Sequence, residues 1–313
     1  MKRDFPFPIP NGWFTVCFSD ELAAGDVRPI HYFGRELVLF RTESGTAHIF
    51  DAYCPHLGAH LGYGGKVVGD TLRCPFHAWR YDSTGQCIEI PYAVRIPPKA
   101  RIPTWPVVEK NGFIMVWYHG KGEPPAWEIP DIPEYGDEGW TPWERREWKV
   151  RSRNQELAEN TVDPAHFRYL HKTNTMPTSE FRTDGPFLHV VSESKVETPK
   201  GEQTGRIEID TCGFGFGTTR FKGVVDLLVV TSGAPVDDEH VHMRLCFSVR
   251  KLANSDATRG VGQAFIAEIE RQFSQDIAIW ENKIHLEKPL LCDGDGPIAQ
   301  LRKWARQFYS EDV

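Results

Sequence analysis

With 313 residues, 40% of them hydrophobic and 25% charged, the chain can bury a substantial core divided over two domains, which argues against a disordered or fibrous protein. A formal net charge of -7 leaves no basic stripe for phosphates, so no nucleic-acid partner is expected. No apolar run approaches the ~20 residues of a membrane span, the longest, Val224 to Val230, being broken by Asp226. The opening residues MKRDFPFPIPNGWF hold no leader-like apolar core, and the cysteines are scattered without a disulfide framework, so a cytoplasmic location is expected.

From Trp13 to His119 short strand-like pieces (WFTVCF, RPIHYF, ELVLFRT, TAHIFDAY, TLRC, QCIEI, GFIMVWYH) alternate with turn residues such as Gly34, Ser44-Gly45 and Asp82 to Gly85. That pattern predicts a compact all-β domain. Prolines between Pro124 and Pro142 deny a helix or central strand its donors and mark a crossing to a second domain. Asn154 to His171 has helical composition, and Phe187 to Arg250 is strand-like, with long pieces FKGVVDLLVVTS and HVHMRLCFSVR. In GQAFIAEIERQFSQDIAIWENKIH, Phe265, Ile269, Phe273, Ile277 and Trp280 recur at helical spacing and predict one buried stripe. The expected fold class is α+β, with an all-β domain over 12–125 followed by a domain over 126–313 in which helices cover an antiparallel sheet, residues 1–11 packing on the second.

Within the first domain, CPHLGAHLGYGGKVVGDTLRCPFH sets Cys54 and His56 in one loop and Cys74 and His77 in another, each cysteine followed by a stiffening proline. Four such ligands make a metal site. A structural zinc site is the plain alternative, but zinc ribbons favour C-x-x-C pairs, whereas the order C-x-H then C-x-x-H is that of a Rieske [2Fe-2S] cluster. His60 lies outside that spacing and reads as a loop residue facing solvent or bonded to backbone. Ala59, Phe76 and Trp79 stand where respiratory Rieske proteins carry a disulfide pair and a serine, although Tyr81 is kept; fewer hydrogen bonds to the cluster imply a lower potential.

A cluster carrier needs only the first third of the chain. The remainder contains NTVDPAHFRYLH, residues 160–171, where Pro164 favours Asp163 as a helix N-cap. His166 and His171 are about 140° apart on a regular helix, so they converge on one ion only where the helix distorts or ends. Asp276, on the face of Phe273 and Trp280, is a costly buried carboxylate unless paired with a cation, either a metal or an Arg or Lys. Two histidines and a carboxylate make the facial triad of non-haem Fe(II) oxygenases.

Taken together, these motifs resemble the Rieske non-haem iron oxygenases across nearly the whole chain, and NTVDPAHFRYLH with the tail QDIAIWENKIHLEKPLL and LRKWARQFY resembles the oxygenase component of 3-ketosteroid 9α-hydroxylase. The resemblance implies a helix-grip catalytic domain, a [2Fe-2S] cluster on Cys54, His56, Cys74 and His77, and a mononuclear Fe(II) on His166, His171 and Asp276. It implies catalytic roles for Asn160 and for Asp163, the latter as the electron-transfer bridge between subunits of a homotrimer. O2 is the expected co-substrate. GFGFG, residues 213–217, lacks dinucleotide-binding spacing, so NAD(P)H acts only indirectly, through a separate ferredoxin and/or flavin reductase. The expected reaction is hydroxylation of a steroid-like or polycyclic substrate held between the sheet around Val224 to Val230 and the helix of Asp276. Sterol desaturation, sterol methyl oxidation and O- or N-demethylation use the same metals and stay open, as do a Rieske electron carrier and a zinc-stabilised binding protein.

Overall fold

The computed structural model describes residues 5–173, 178–198, 201–223 and 225–310; Val224, at the start of the expected cavity wall, lies outside them. The chain divides into two compact units. One runs Trp13–Glu128, and the other joins the N-terminal segment through Gly12 to everything from Ile129 onward.

The first unit is built of β1 (Gly12–Phe18), β2 (Val27–Tyr32), β3 (Arg35–Arg41), β4 (Ala47–Asp51), β5 (Lys66–Val68), β6 (Thr71–Arg73), β7 (Arg80–Tyr81), β8 (Cys87–Glu89), β9 (Thr104–Trp105), β10 (Val107–Lys110) and β11 (Phe113–Tyr118). They form three small sheets, ordered β1-β11-β10, β2-β3-β4-β9 and β5-β6-β7-β8. Val38, Phe40, Phe50, Leu72 and Ile102 make a core that also takes in Cys54 and Cys74, so the bases of both ligand loops are anchored in packed side chains. The strands of β5 to β9 are two or three residues long in part because these loops take up the chain between them.

From Tyr118 to Glu144 the chain makes no regular element among the described residues beyond one isolated bridge, Trp140 with Arg250, as its prolines dictate. The second unit then runs β12 (Glu144–Val150), α1 (Asn154–Glu159), a 3-10 turn over Asn160–Val162, α2 (Pro164–Tyr169), β13 (Thr178–Asp184), β14 (Phe187–Thr198), β15 (Gly201–Cys212), β16 (Phe216–Lys222), β17 (Leu227–Pro235), β18 (Val241–Val249), α3 (Ser255–Trp280) and α4 (Ile298–Ala305). Its sheet is seven-stranded and antiparallel, ordered β12-β18-β17-β16-β15-β14-β13. β13 to β18 form a meander, and β12 pairs beside its last strand, so α1 and α2 lie in the connection that leaves one sheet edge and returns to the other.

Asn254 caps α3, its side chain accepting from Asp256 and Ala257 N–H. One face of α3 covers the sheet: Ile266, Phe273 and Trp280 are buried with Val229, Met243, Leu245 and Phe247, while Phe265, Ile269 and Ile277 pack at the margin. A long helix laid across an antiparallel sheet is the expected helix-grip arrangement, and the whole is α+β. No helix of the described residues is long and apolar enough to cross a membrane.

Candidate metal centres

Cys54 and His56 lie in the turn after β4, Cys74 and His77 in the turn between β6 and β7. Backbone hydrogen bonds shape the two alike: Cys54 N–H donates to Ala59 C=O at 2.9 Å and Cys74 N–H to Trp79 C=O at 2.8 Å. Gly58 (φ 73°) and Ala78 (φ 61°) take the left-handed region that reverses each turn. The imidazoles of His56 and His77 meet with ring centroids 4.7 Å apart. The hydrogen bond between the two thiols is the largest influence on both. It holds Cys54 well below the ordinary thiol range, with help from the Tyr81 hydroxyl at 3.0 Å, and with burial it pushes Cys74 up.

These four residues do not converge as the ligands of one tetrahedral ion do: trios with ligand atoms all within 4.8 Å occur elsewhere among the described residues, but not here. They form a thiol pair and an imidazole pair, the division that a two-iron cluster requires. The Nδ1 of His77 is buried without a hydrogen-bond partner, which suits an atom reserved for a metal. His60 is bonded to backbone, its Nδ1 accepting from Gly62 N–H at 3.0 Å, and is largely buried rather than facing solvent. Trp79 does more than replace a serine: its ring stacks on His56 at 4.6 Å and 11°, and its indole N–H donates to the Tyr92 hydroxyl at 2.8 Å. Tyr92 was not legible in the sequence as a partner of this loop.

The second site starts from Asp163. Its Oδ1 accepts from Ala165 N–H (3.0 Å) and His166 N–H (3.4 Å), so it caps α2, with Pro164 at the first helical position. The helix stops at Tyr169. Leu170 and His171 N–H both fold back onto His166 C=O, at 2.8 and 3.1 Å, and Lys172 turns to φ 64°. That ending lets two histidines five apart converge: their ring centroids are 5.0 Å apart. His171 Nε2 stands 3.3 Å from Asp276 Oδ1, and one ligand atom from each of His166, His171 and Asp276 lies within 4.8 Å of the others.

Both histidines use Nδ1 elsewhere. His166 Nδ1 bonds the Asp163 carbonyl, and His171 Nδ1 bonds Gln275 Oε1 at 3.0 Å. That fixes each tautomer with Nε2 left toward the shared point, the usual device behind a metal-binding histidine. Burial pulls His166 below the usual histidine range; it also pulls on His171, but the hydrogen bonds from Asp276 and Gln275 outweigh it and raise that residue. Asp276 is 8% exposed. Its ion partner is His171, rather than the Arg or Lys that the sequence left open. Asn160 Nδ2 donates to Asp276 Oδ1 at 3.0 Å, and Asn160 Oδ1 accepts from Trp280 Nε1 at 3.3 Å. Asn160 therefore orients the carboxylate. Gln275 and the Trp280 indole are parts of this site that sequence reasoning missed.

A further trio, Glu156, Glu159 and His285, also brings its ligand atoms together. Lys283 pairs with both carboxylates and Arg302 grips Glu159 at 2.7 and 3.2 Å. Two cations already neutralise two acids, and the group joins α1 to the segment after α3 and to α4.

A cavity of ≈ 260 Å³ opens onto His166, His171 and Asp276. Much of its remaining wall is apolar, with Ile207 and Ile209 of β15, Phe221 of β16, and Phe273 and Trp280 of α3, and threonines of the sheet stand among them. The expected wall at Val224 to Val230 is corrected here, since none of residues 225–230 lines the cavity and Val229 is taken up in the core beneath α3. An apolar run signals burial without saying against which neighbour. Gly213, in the turn between β15 and β16, and Gly217, at the start of β16, line the cavity instead.

Residues 12–106 match the Rieske [2Fe-2S] domain, and with the second unit this defines the class as Rieske non-haem iron oxygenase. Among relatives, a cholesterol 7-desaturase of Caenorhabditis elegans is 36% identical over 99% of this chain and 79% of that protein. A 3-ketosteroid-9-alpha-monooxygenase oxygenase component of Rhodococcus rhodochrous is 32% identical over 97% of this chain and 82% of that protein. Residues 116–309 match the 3-Ketosteroid 9alpha-hydroxylase C-terminal domain, and the chain belongs to the family so defined. Solved structures share the fold: Pseudomonas putida CBB5 NdmA with caffeine (TM-score 0.78, 20% identity, 94% of this chain and 89% of that one) and dicamba monooxygenase bound to dicamba (TM-score 0.72, 16% identity, 96% and 98%).

Proposed function

We propose that this protein is the terminal oxygenase component of a multicomponent system that hydroxylates a steroid or sterol-like substrate. The observation that carries the reading is the trio of His166, His171 and Asp276 opening onto an apolar cavity, a donor set and pocket suited to Fe(II), O2 and an oily substrate. Cys54 and Cys74 hold one iron of the cluster and His56 and His77 the other. When bound, the mononuclear iron supplies O2 activation and the cluster supplies electrons. The chain's own residues do the rest: Asp163 and Gln275 fix the two imidazoles, Asn160 holds the Asp276 carboxylate, and Phe273 and Trp280 help keep water from the substrate. The electron donor is a separate ferredoxin and/or flavin reductase.

The same reading makes the protein a homotrimer in which Asp163 bridges the cluster of one subunit to the iron of the next. Leu57 and Phe76, beside the cluster ligands, are 66% and 60% exposed and supply apolar surface for such a contact. Desaturation is the second reading, favoured by the 36% identity to a cholesterol 7-desaturase. Product mass decides between them. With a generic reductase pair, NADH and a panel of 3-ketosteroids and sterols, one added oxygen supports hydroxylation and loss of two hydrogens supports desaturation; no O2-dependent product from any panel member would overturn both.

A further inference from the structure

Most polar side chains around the cavity are engaged. Asn154 donates to the Phe214 and Gly233 carbonyls, Gln272 to Glu268, and Thr218 accepts from Arg220. Four threonine hydroxyls that line it make no hydrogen bond among the described residues. Thr161 sits beside Asn160, and the other three, Thr211, Thr219 and Thr231, stand on the sheet.

Those three are a constellation set by register. Thr211 of β15 pairs with Gly217 of β16, which pairs with Thr231 of β17, while Thr219 lies two residues along β16 from Gly217. Residues two apart share a face, so all four positions face the cavity side, about 5 Å apart across strands and about 7 Å apart along them. Gly217 leaves the centre of the group without a side chain. A Cβ there would stand 2.9 Å from Asp210 O and 3.2 Å from Thr211 Cγ2, so backbone and the Thr211 methyl already close on this position and glycine is the residue that fits it. A largely apolar pocket thus contains one patch of three unengaged threonines around a bare backbone position.

This patch lies away from the metal trio. Phe265 of α3 meets Phe221 and Phe247, and Phe273 meets Trp148, which is in register with Met243. α3 therefore passes over the threonine row between these contacts, and Asp276 lies beyond the Met243 end. One strand step plus one helical turn separates the two, on the order of 10 Å.

Resting on the reading of a steroid-like substrate, we propose that Thr211, Thr219 and Thr231 around Gly217 recognise the single hydroxyl or keto oxygen of that substrate, and so select which carbon faces the metal trio. A hydroxyl both donates and accepts, so the patch takes an alcohol or a ketone alike. A substrate lacking the oxygen leaves it nothing to bond, and a substrate anchored there presents its far rings to His166, His171 and Asp276.

The test compares cholesterol with cholest-5-ene, the same skeleton without its oxygen, in wild type, T211V/T231V and the hydroxyl-retaining T211S/T231S. Binding is read from emission of Trp280 and Trp304, which line the cavity, and turnover and product position from mass spectrometry and NMR. The expected result is that T211V/T231V weakens cholesterol binding about tenfold per hydroxyl bond lost, scatters the position of oxidation, and leaves cholest-5-ene binding unchanged, while the serine variant behaves as wild type. Equal weakening for both ligands would mean that the threonines only pack. An unchanged preference for cholesterol in T211V/T231V would place the oxygen elsewhere, and either result overturns the inference. If wild type binds cholesterol with the expected threonine dependence but forms no product, the functional reading fails while the recognition site stands.

Discussion

Replacing Asp163 by alanine removes two things at once, the negative charge and the cap whose Oδ1 accepts from Ala165 and His166 N–H. Asparagine keeps a capping oxygen and removes only the charge. Asp163→Ala is expected to lower stability by about 1 kcal/mol, read as a urea midpoint, whereas Asp163→Asn should stay close to wild type. Under the proposed bridge role both variants lose steady-state turnover while iron and cluster content hold. Normal turnover in Asp163→Asn would remove the bridge and leave Asp163 a cap and an anchor for His166. The distinction could not be drawn from sequence, where N-cap and bridge are one residue in one motif.

At the scale of elements, the proline-rich crossing is tied to the sheet through an ion pair from its middle. Arg220 of β16 reaches Glu134 through two bonds, at 2.7 and 3.0 Å, with side chains 17% and 10% exposed. Burial pushes the Glu134 carboxyl up, but the bonds and charge of Arg220 outweigh it and hold it below the usual carboxylate range. A carboxyl depressed in the folded state stabilises above its unfolded value, 4.5, and that contribution is lost as pH falls through the folded value. Glu134→Gln is therefore expected to cost about 2 kcal/mol at neutral pH and to flatten the acid limb of a stability-against-pH curve. An acid limb as steep as wild type would show that other carboxylates set it. Elements themselves were legible where periodicity was clean, as in α3 and β14 to β18. β12 (ERREWKV) and β13 (TSEFRTD) were not, because strands carrying so much charge look like loops until a neighbouring strand supplies their hydrogen bonds.

For the whole molecule, the proposed trimer predicts complementation. Under the proposed function, His77→Ala removes a cluster ligand and Asp276→Ala an iron ligand, so each alone should be inactive. Subunits mixed after reversible dissociation should regain activity, since a cluster from one variant can serve an iron site in the other; no recovery, with mixed assembly verified by mass, would confine electron transfer to one chain. Both candidate ligand sets were legible as patterns because short spacings and one helix face carry them: C-x-H, C-x-x-H, D-x-x-H, and the stripe of α3. The residues that orient them, Gln275, Trp280 and Trp79 with Tyr92, were not. Their partners lie 13 to 120 positions away in sequence, and no local pattern announces such a choice. The cavity wall was misplaced for the same reason, since hydrophobicity marks burial and only register marks the face.

α3 carries the sheet-covering residues Ile266 and Phe273 and the carboxylate Asp276 on one uninterrupted run from Ser255 to Trp280. Each residue of helix advances about 1.5 Å and turns about 100°. A single insertion or deletion between Ile266 and Asp276 would thus either keep the packing and swing the carboxylate away from His166 and His171, or keep the carboxylate and lift the aromatic face from the sheet. A change of length in the turn between β17 and β18 moves neither. The chain can therefore drift in length around its hairpin turns while this stretch of α3 keeps a fixed number of residues.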